Sequence, residues 1–231
     1  MPFNFAKEMS WGNKHCNILQ YENVSYDFRP FLKDCFNCEN IDELHINNPN
    51  YKIFTEFGPD VRTWYHKTFY SYLDSEKGNK MKDLYYKLIK DVILPYLNLS
   101  EAYVQKFPSF RVHLPNNVAV AKKHTDNSLG HPIGEINFTY VFTNMFDSNS
   151  ICIEKMPRMN EYVNLKLDEN NIISFNGNLC MHYNNTNETN KTRVSMDFRI
   201  LPVEHLPKDV SCSHSTKRKF TDGDYYKYFS I

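Results

Sequence analysis

The second half of the chain repeats its hydrophobic residues at every second position, which is the periodicity of β-strands. The pattern starts near Tyr103 and is clearest in two segments. The apolar positions of these segments are Ile136, Phe138, Tyr140 and Phe142 in the first, and Val194, Met196, Phe198 and Ile200 in the second. Shorter strand-like segments are predicted at 151–154, 162–167 and 172–175. Many short strands without βαβ alternation favour an antiparallel sandwich or jelly roll.

The first half of the chain has helical periodicity instead. Residues 60–75 are expected to be helical. A second helix is predicted over 81–93, because apolar residues recur there at i, i+3, i+4 and i+7, and Pro95 is expected to end it. The single apolar face of this helix predicts packing against a sheet. Residues 1–58 are expected to form short strands and loops around the core.

Length and charge narrow the class of protein. The 231 residues predict one domain, in which 1–102 form a wrapping segment and scaffold helices, 103–202 a catalytic jelly-roll core and 203–231 a tail. The tail's aromatic residues are expected to dock on the core or on a second subunit. Lys+Arg and Asp+Glu both number 27, and this balance argues against nucleic acid as a partner. No apolar run is long enough for a signal peptide or a membrane span, so we expect a cytoplasmic protein with no membrane partner.

A candidate metal site is formed by His124 and Asp126, which are two residues apart. On an extended strand, both side chains would leave the same face of the sheet. His182 is the best-placed third ligand in the sequence. Two imidazoles and one carboxylate form the facial triad of non-heme Fe(II) oxygenases, which leaves one face of the metal open. His131 is a competing ligand, but the glycines and proline around it predict a loop, where it would rather contact a substrate.

A candidate carboxylate-binding pair follows His182 by eleven residues. Arg193 and Ser195 share one face of a predicted strand. A guanidinium beside a hydroxyl suits the far carboxylate of a dicarboxylic acid, because arginine pairs bidentately with carboxylates. Arg199 lies on the same face, where it would anchor an anionic substrate or pair with Asp197.

The order of these motifs resembles that of the Fe(II)/2-oxoglutarate-dependent dioxygenases, which have H-x-D, a distal His and then an Arg about ten residues later, often as R-x-S. The resemblance covers roughly residues 103–202. It implies a mainly β protein with a helical annex, whose double-stranded β-helix (jelly roll, cupin-like) core packs on N-terminal helices. The runs 134–138, 175–178 and 192–195 further resemble oxygenase-like proteins of aminoglycoside-antibiotic pathways, which favours a polar substrate.

The resemblance also implies cofactors and residue roles. His124, Asp126 and His182 would hold Fe(II), and 2-oxoglutarate would chelate the metal and place its other carboxylate on Arg193 and Ser195. O2 would be consumed and succinate and CO2 released as a C–H bond of the substrate is oxidised. Asn137 would hydrogen-bond the cosubstrate, and the candidate substrate contacts are Arg199, His131, Arg111 and His113.

The expected function is therefore the hydroxylation, or another oxidation, of a small polar metabolite such as an amino acid or amino sugar, by a monomer or homodimer. One alternative is a jelly-roll metal-binding or sugar-binding protein without redox chemistry. Another is a cupin-like isomerase or epimerase that uses its metal as a Lewis acid. The pair Arg193 and Ser195 favours the oxygenase, because neither alternative requires a clamp for a dicarboxylate.

Overall fold

The helices of the protein precede nearly all of its strands. The computed structural model describes residues 16–56, 63–118, 122–209, 211–214 and 217–231. Helix α1 spans Arg29–Phe36, α2 spans Trp64–Leu73, and α3 spans Glu76–Leu88 before continuing through a π-helical turn, Ile89–Ile93, into a last turn, Leu94–Tyr96. No helix in the described ranges has both the length and the apolar character needed to cross a membrane.

Two of the helices were predicted and one was not. Helices α2 and α3 confirm the two predicted helical segments, although residues 57–62 lie outside the described residues. Helix α1 corrects the expectation that residues 1–58 hold only strands and loops. The expectation for Pro95 was also wrong, since the helix continues to Tyr96. The π-helical turn already interrupts the i to i−4 hydrogen bonds, so the missing N–H of Pro95 costs little there.

The strands form two antiparallel sheets, as the alternating pattern predicted. Their bounds are Cys16–Ile18 (β1), Glu101–Gln105 (β2), Ser109–His113 (β3), Ile136–Val141 (β4), Ile151–Glu154 (β5), Tyr162–Asn164 (β6), Asn171–Phe175 (β7), His182–Asn184 (β8), Arg193–Pro202 (β9) and Tyr226–Ser230 (β10). The large sheet has the order β1-β7-β4-β9-β2-β10, and β3 also pairs with β9. The small sheet has the order β6-β5-β8. The protein is therefore mainly β with a few helices.

The C-terminal strand belongs to the same sheet as the core strands. Strand β10 pairs with β2 from Tyr226 opposite Gln105 to Ser230 opposite Glu101. The tail's aromatic residues thus dock on this chain's own core, one of the two arrangements expected from the sequence.

One face of the large sheet packs against the helices. Phe138 of β4 stacks on Phe198 of β9 with ring centroids 5.2 Å apart, and both belong to a buried cluster that includes Leu32, Tyr85 and Ile89 of the helical layer. This contact explains the apolar stripe of α3. Burial of so many large side chains is the main stabilising contribution to the fold.

The other face of the large sheet packs against the small sheet. Val141 and Phe175 of the large sheet meet Ile151 and Ile153 of β5 in a second buried cluster. The polar positions of β9, namely Arg193, Ser195, Asp197 and Arg199, lie on this same side and are buried or nearly buried. Burying such a polar stripe costs free energy unless each group finds a partner. This side of β9 is therefore where a functional site is expected.

Candidate metal centre

Three potential metal ligands meet at the edge of the two sheets. The ligand atoms of His124, Asp126 and His182 all lie within 4.8 Å of one another. Oδ1 of Asp126 is 3.7 Å from Nε2 of His124 and 3.6 Å from Nε2 of His182. The three side chains predicted from the sequence are thus brought together closely enough to share one cation.

The backbone that brings the ligands together differs from the predicted strand. His124 and His182 exchange two backbone hydrogen bonds, of 3.2 and 2.9 Å, which attach His124 to the edge of β8. Asp126 has helical torsion angles, φ −63° and ψ −35°, and starts a 3-10 turn. Its N–H donates to the carbonyl of Gly177 at 2.9 Å. The expectation of an extended H-x-D segment was therefore wrong, because the chain turns at Asp126 and the turn directs its carboxylate back towards the histidines.

Both histidines are oriented by their second ring nitrogen. Nδ1 of His124 lies 2.6 Å from the carbonyl oxygen of Lys122, and Nδ1 of His182 lies 3.1 Å from that of Cys180. A carbonyl only accepts, so Nδ1 carries a proton in each ring, and Nε2 is the nitrogen that faces Asp126. Burial lowers the pKa of His182, which favours its neutral, metal-binding form.

The second oxygen of Asp126 is fully occupied. Oδ2 accepts hydrogen bonds from Nε of Arg199 at 2.8 Å and from Nδ2 of Asn137 at 2.6 Å, and Nη2 of Arg199 lies 2.7 Å away. Burial alone would raise the pKa of Asp126, but the charge of Arg199 and the nearby histidines outweigh it and hold the pKa well below its usual value. Asp126 is therefore a carboxylate, and Arg199 pairs with it rather than with Asp197.

A cavity that is open to solvent extends from these three residues between the two sheets. Most of the other candidate residues line it, namely Arg111, His113, Asn137, Arg193 and Arg199, together with Asp197, Tyr183 and Asn184. Asp197 accepts hydrogen bonds from Nε of Arg111 at 2.9 Å and from Oγ1 of Thr139 at 2.7 Å. The arginine at position 111 is thus paired within the protein.

Arg193 and Ser195 differ from Arg111 because they have unused donors. Within the described ranges, Nε of Arg193 and Oγ of Ser195 are buried without a hydrogen-bond partner, and Nη1 of Arg193 contacts only Sδ of Met145 at 3.8 Å. Burial lowers the pKa of Arg193 to about 10. A buried guanidinium without a carboxylate is costly, so this arrangement calls for an anionic ligand.

The two remaining histidine candidates lie in different places. His113 lines the cavity, its Nε2 is 3.0 Å from the carbonyl of Asn117, and burial together with the charge of Arg193 lowers its pKa to about 3. His131 is outside the cavity lining. Its Nδ1 lies 2.7 Å from Oε2 of Glu135, and its ring packs on Phe220.

The alternative ligand set with His131 is unfavourable for a metal. Asp126, His131 and Glu135 do lie close together, but the guanidinium of Arg199 contacts both carboxylates, at 2.8 Å on Asp126 and 3.7 Å on Glu135. The positively charged guanidinium of Arg199 therefore already occupies the place that a metal ion would take between these carboxylates. Sequence reasoning missed the part that Glu135 plays. The available signal was that Glu135 alternates with Ile136 and so shares the polar face of β4 with Asn137.

Comparison with known proteins identifies the family of the chain. No family model matches the chain. The chain is 33% identical to the streptomycin biosynthesis protein StrG of Streptomyces griseus over 167 residues, which cover 72% of this chain and 77% of StrG. The chain belongs to the StrG family. This relative confirms the sequence resemblance to proteins of aminoglycoside-antibiotic pathways.

Solved structures give the fold of this StrG-family chain. It is similar to the non-heme α-ketoglutarate-dependent carbocyclase SnoK from nogalamycin biosynthesis, with a TM-score of 0.51, 11% identity, and coverage of 86% of this chain and 85% of SnoK. HygX from Streptomyces hygroscopicus, with nickel and 2-oxoglutarate bound, gives a TM-score of 0.47, 10% identity and 88% coverage of each chain. The likeness to SnoK confirms, at the level of the fold, the resemblance to 2-oxoglutarate-dependent enzymes.

Proposed function

We propose that this StrG-family protein is an Fe(II)- and 2-oxoglutarate-dependent oxygenase that oxidises a small polar metabolite, such as an amino acid or amino sugar. The observation that carries the proposal is one cavity that holds both the candidate ligand set of His124, Asp126 and His182 and the buried guanidinium of Arg193, whose Nε has no hydrogen-bond partner among the described residues. A redox-silent metal protein would need the first feature but has no use for the second.

We further propose that residues 103–202 form a double-stranded β-helix within a single domain of residues 1–231. The two antiparallel sheets, with a buried apolar cluster between them, support this architecture. The helices back the large sheet on its other face, and β10 extends its edge. The site then lies at the open end between the two sheets, where a small molecule can enter.

The donor set fits the two groups. Two imidazoles and a carboxylate at the edge of the cavity are a donor set that would hold Fe(II). The Arg193 guanidinium and the Ser195 hydroxyl provide unused donors for the far carboxylate of 2-oxoglutarate. When bound, Fe(II) and 2-oxoglutarate supply the oxidising chemistry, in which O2 is consumed and 2-oxoglutarate is converted to succinate and CO2 as a C–H bond is oxidised.

The protein's own part is to orient these groups and to exclude water. The backbone carbonyls of Lys122 and Cys180 hold the two imidazoles so that each Nε2 faces Asp126. The amide of Asn137 donates to Asp126 rather than into the cavity, so we assign it to the support of this carboxylate and not to the cosubstrate. Ile151 and Phe175 form an apolar wall of the cavity, which limits the water around the reacting groups.

A polar substrate is supported by the rest of the lining. Tyr183 and Asn184 directly follow His182 on β8, and the ion pair of Arg111 with Asp197 lies across the cavity on β3 and β9. These groups offer hydrogen-bond donors and acceptors and one charge of each sign, which suits a metabolite with hydroxyl and amino groups. We therefore retain Arg111 and His113, which line the cavity, as candidate substrate contacts. His131 lies outside the lining, and the guanidinium of Arg199 is engaged with the Asp126 carboxylate.

The function is tested by measuring succinate. The purified protein is incubated in air with Fe(II), 2-oxoglutarate and, in turn, a panel of amino acids and amino sugars, and succinate is quantified by mass spectrometry. We expect succinate formation that requires both Fe(II) and O2 and that rises with at least one member of the panel. His182→Ala is expected to abolish it, whereas His214→Ala, an exposed histidine, is the matched control.

Two results would contradict the proposal. The first is succinate formation equal to that of buffer containing Fe(II) with every member of the panel. The second is undiminished formation by His182→Ala, since this would show that the reaction takes place elsewhere.

A further inference from the structure

The two oxygens of the Asp126 carboxylate have different surroundings. Oδ1 faces the imidazoles of His124 and His182, at 3.7 and 3.6 Å from their Nε2 atoms. Oδ2 points away from them and is contacted by two nitrogens of Arg199 and by the amide of Asn137, all within 2.8 Å. Arg199 places Nε and Nη2 on this one oxygen, and so leaves Oδ1 untouched.

Arg199 is itself held in place by partners other than Asp126. Its Nη1 donates to the phenol oxygen of Tyr225 and to Oε1 of Gln105, both at 3.3 Å. Its Nε lies 3.7 Å from Oε2 of Glu135, which also contacts His131 at 2.7 Å. The hydroxyl of Tyr226 donates to the other oxygen of Glu135.

These contacts connect the C-terminal segment with the metal centre. Tyr225 and Tyr226 stand at the start of β10, where their rings pack on Phe220 in a buried cluster. Glu135 is fully buried, and Arg199 is 9% exposed. A buried and satisfied network of this kind holds its members in one geometry, because any displaced group would lose partners in an environment of low dielectric constant.

We propose that Arg199, held by Glu135 and Tyr225, is a positioning residue that keeps Asp126 bound to the metal through Oδ1 alone. This inference rests on the proposed function, because it assumes that His124, Asp126 and His182 bind a metal. Arg199 exerts its role through the Asp126 carboxylate. It acts by occupying Oδ2, so that the carboxylate neither rotates nor takes a second coordination position that the cosubstrate requires.

The inference is tested with Co(II), whose visible absorption reports its ligand set and which needs no turnover. The protein is titrated with Co(II) and the dissociation constant and spectrum are compared for the native protein and Arg199→Gln. We expect the dissociation constant to rise by about 10- to 100-fold, as is typical when a partner of a metal ligand is removed, and the bands to shift. Tyr225→Phe removes one contact of Arg199 and is expected to weaken Co(II) binding by up to about fivefold.

A conservative variant distinguishes positioning from charge. Arg199→Lys keeps the positive charge but has a single nitrogen, so it cannot contact Oδ2 at two points. We expect it to bind Co(II) almost as weakly as Arg199→Gln. If Arg199 acted only through its charge, Arg199→Lys would resemble the native protein and Arg199→Gln would bind Co(II) more tightly, since one repulsion is gone. Either of these results would overturn the inference.

Matched variants control for general effects of the substitutions. Arg29 makes a two-point contact with Asp27, with both distances 2.8 Å, far from the cavity, so Arg29→Gln is expected to leave Co(II) binding unchanged. Tyr65 donates its hydroxyl to the carbonyl of Leu44, and Tyr65→Phe is the control for Tyr225→Phe. Thermal unfolding without metal establishes which variants fold. If Arg199→Gln does not fold, Arg199→Lys and Tyr225→Phe decide the question.

The failure of this inference is distinguishable from that of the proposed function. If the native protein does not bind Co(II), the metal site itself is wrong and both proposals fall. If the native protein binds Co(II) and all three variants bind it with native affinity and spectrum, only the positioning role of Arg199 falls.

Discussion

Replacing Arg193 with methionine should stabilise the metal-free protein while abolishing its binding of 2-oxoglutarate. In the structure, the Arg193 guanidinium is buried with its Nε unpaired. Methionine has a similar length and no charge, and it would place a thioether beside Met145, whose Sδ now accepts a hydrogen bond from Nη1 of Arg193. The variant thus removes the anion-binding group without opening a large cavity.

The size of the effect follows from the pKa of Arg193. Burial lowers this pKa to about 10, and since each unit of pKa corresponds to 1.36 kcal/mol, the charged side chain costs the folded state about 3 kcal/mol. Since lost packing offsets part of this gain, we expect Arg193→Met to raise the free energy of unfolding by about 1–3 kcal/mol. For a chain of this size, that corresponds to an increase of about 3–10 °C in Tm.

The assay is thermal unfolding with and without Co(II) and 2-oxoglutarate. Cosubstrate at 100 times its Kd should stabilise the native protein by about 2.7 kcal/mol and should not stabilise Arg193→Met. Arg111→Met is the matched control, because Arg111 pairs with Asp197 and its loss should lower the Tm of the metal-free protein. A metal-free Arg193→Met that unfolds below the native protein, or one that 2-oxoglutarate still stabilises, would refute the reasoning.

Three further predictions concern stability. Burial, and then the charge of Arg193, lower the pKa of His113 to about 3, so the stability present above pH 6.5 should be lost as the pH falls towards 3. His113→Gln should therefore reduce the stability lost between pH 6 and pH 4 by up to about 2 kcal/mol. An unchanged pH profile in urea unfolding would count against this. Glu154, fully buried, accepts two backbone N–H bonds at 2.7 and 3.1 Å, so Glu154→Leu should cost about 2–5 kcal/mol in the same assay and Glu154→Gln less; equal losses would contradict it. Finally, a Cβ at Gly78 would lie 2.2 Å from the carbonyl oxygen of Tyr72, so Gly78→Ala should lower stability by about 1–3 kcal/mol, whereas Lys80→Ala should be neutral.

The sequence predicted those features that depend on local periodicity. The alternation in β4 and β9 identified both the strands and their polar faces, because one side of each strand packs on the helices. The apolar stripe of α3 likewise predicted a helix lying on a sheet. The candidate ligands His124, Asp126 and His182 were predicted because their order is that of a known motif, and the structure brings the three side chains together.

The features that the sequence did not predict depend on contacts between distant segments. Asp126 meets Arg199 only because the chain turns at residue 126 and β4 pairs with β9 in one particular register, with Asn137 opposite Arg199. Alternation alone placed Arg199 near Asp197, which is two residues earlier and on the same face of the strand. Strand β10 was missed because its partner β2 lies far earlier in the chain, and its polar sequence resembles a tail.

Helix α1 was missed for a local reason. Its eight residues, Arg29–Phe36, bury only Leu32 and Phe36, so the helical period is hardly repeated before the helix ends at Asn37 in a left-handed conformation. Short segments of this kind are stabilised by tertiary packing more than by propensity.

The most direct test of the central claim is anaerobic titration of the protein with Fe(II) and then 2-oxoglutarate, observed through the visible charge-transfer band that the metal chelate produces. We expect the band in the native protein and in the control His214→Ala, and its loss or strong weakening in His182→Ala and Arg193→Met. Metal binding without any band, or a band that persists in both variants, would contradict the assignment of this cavity to Fe(II) and 2-oxoglutarate.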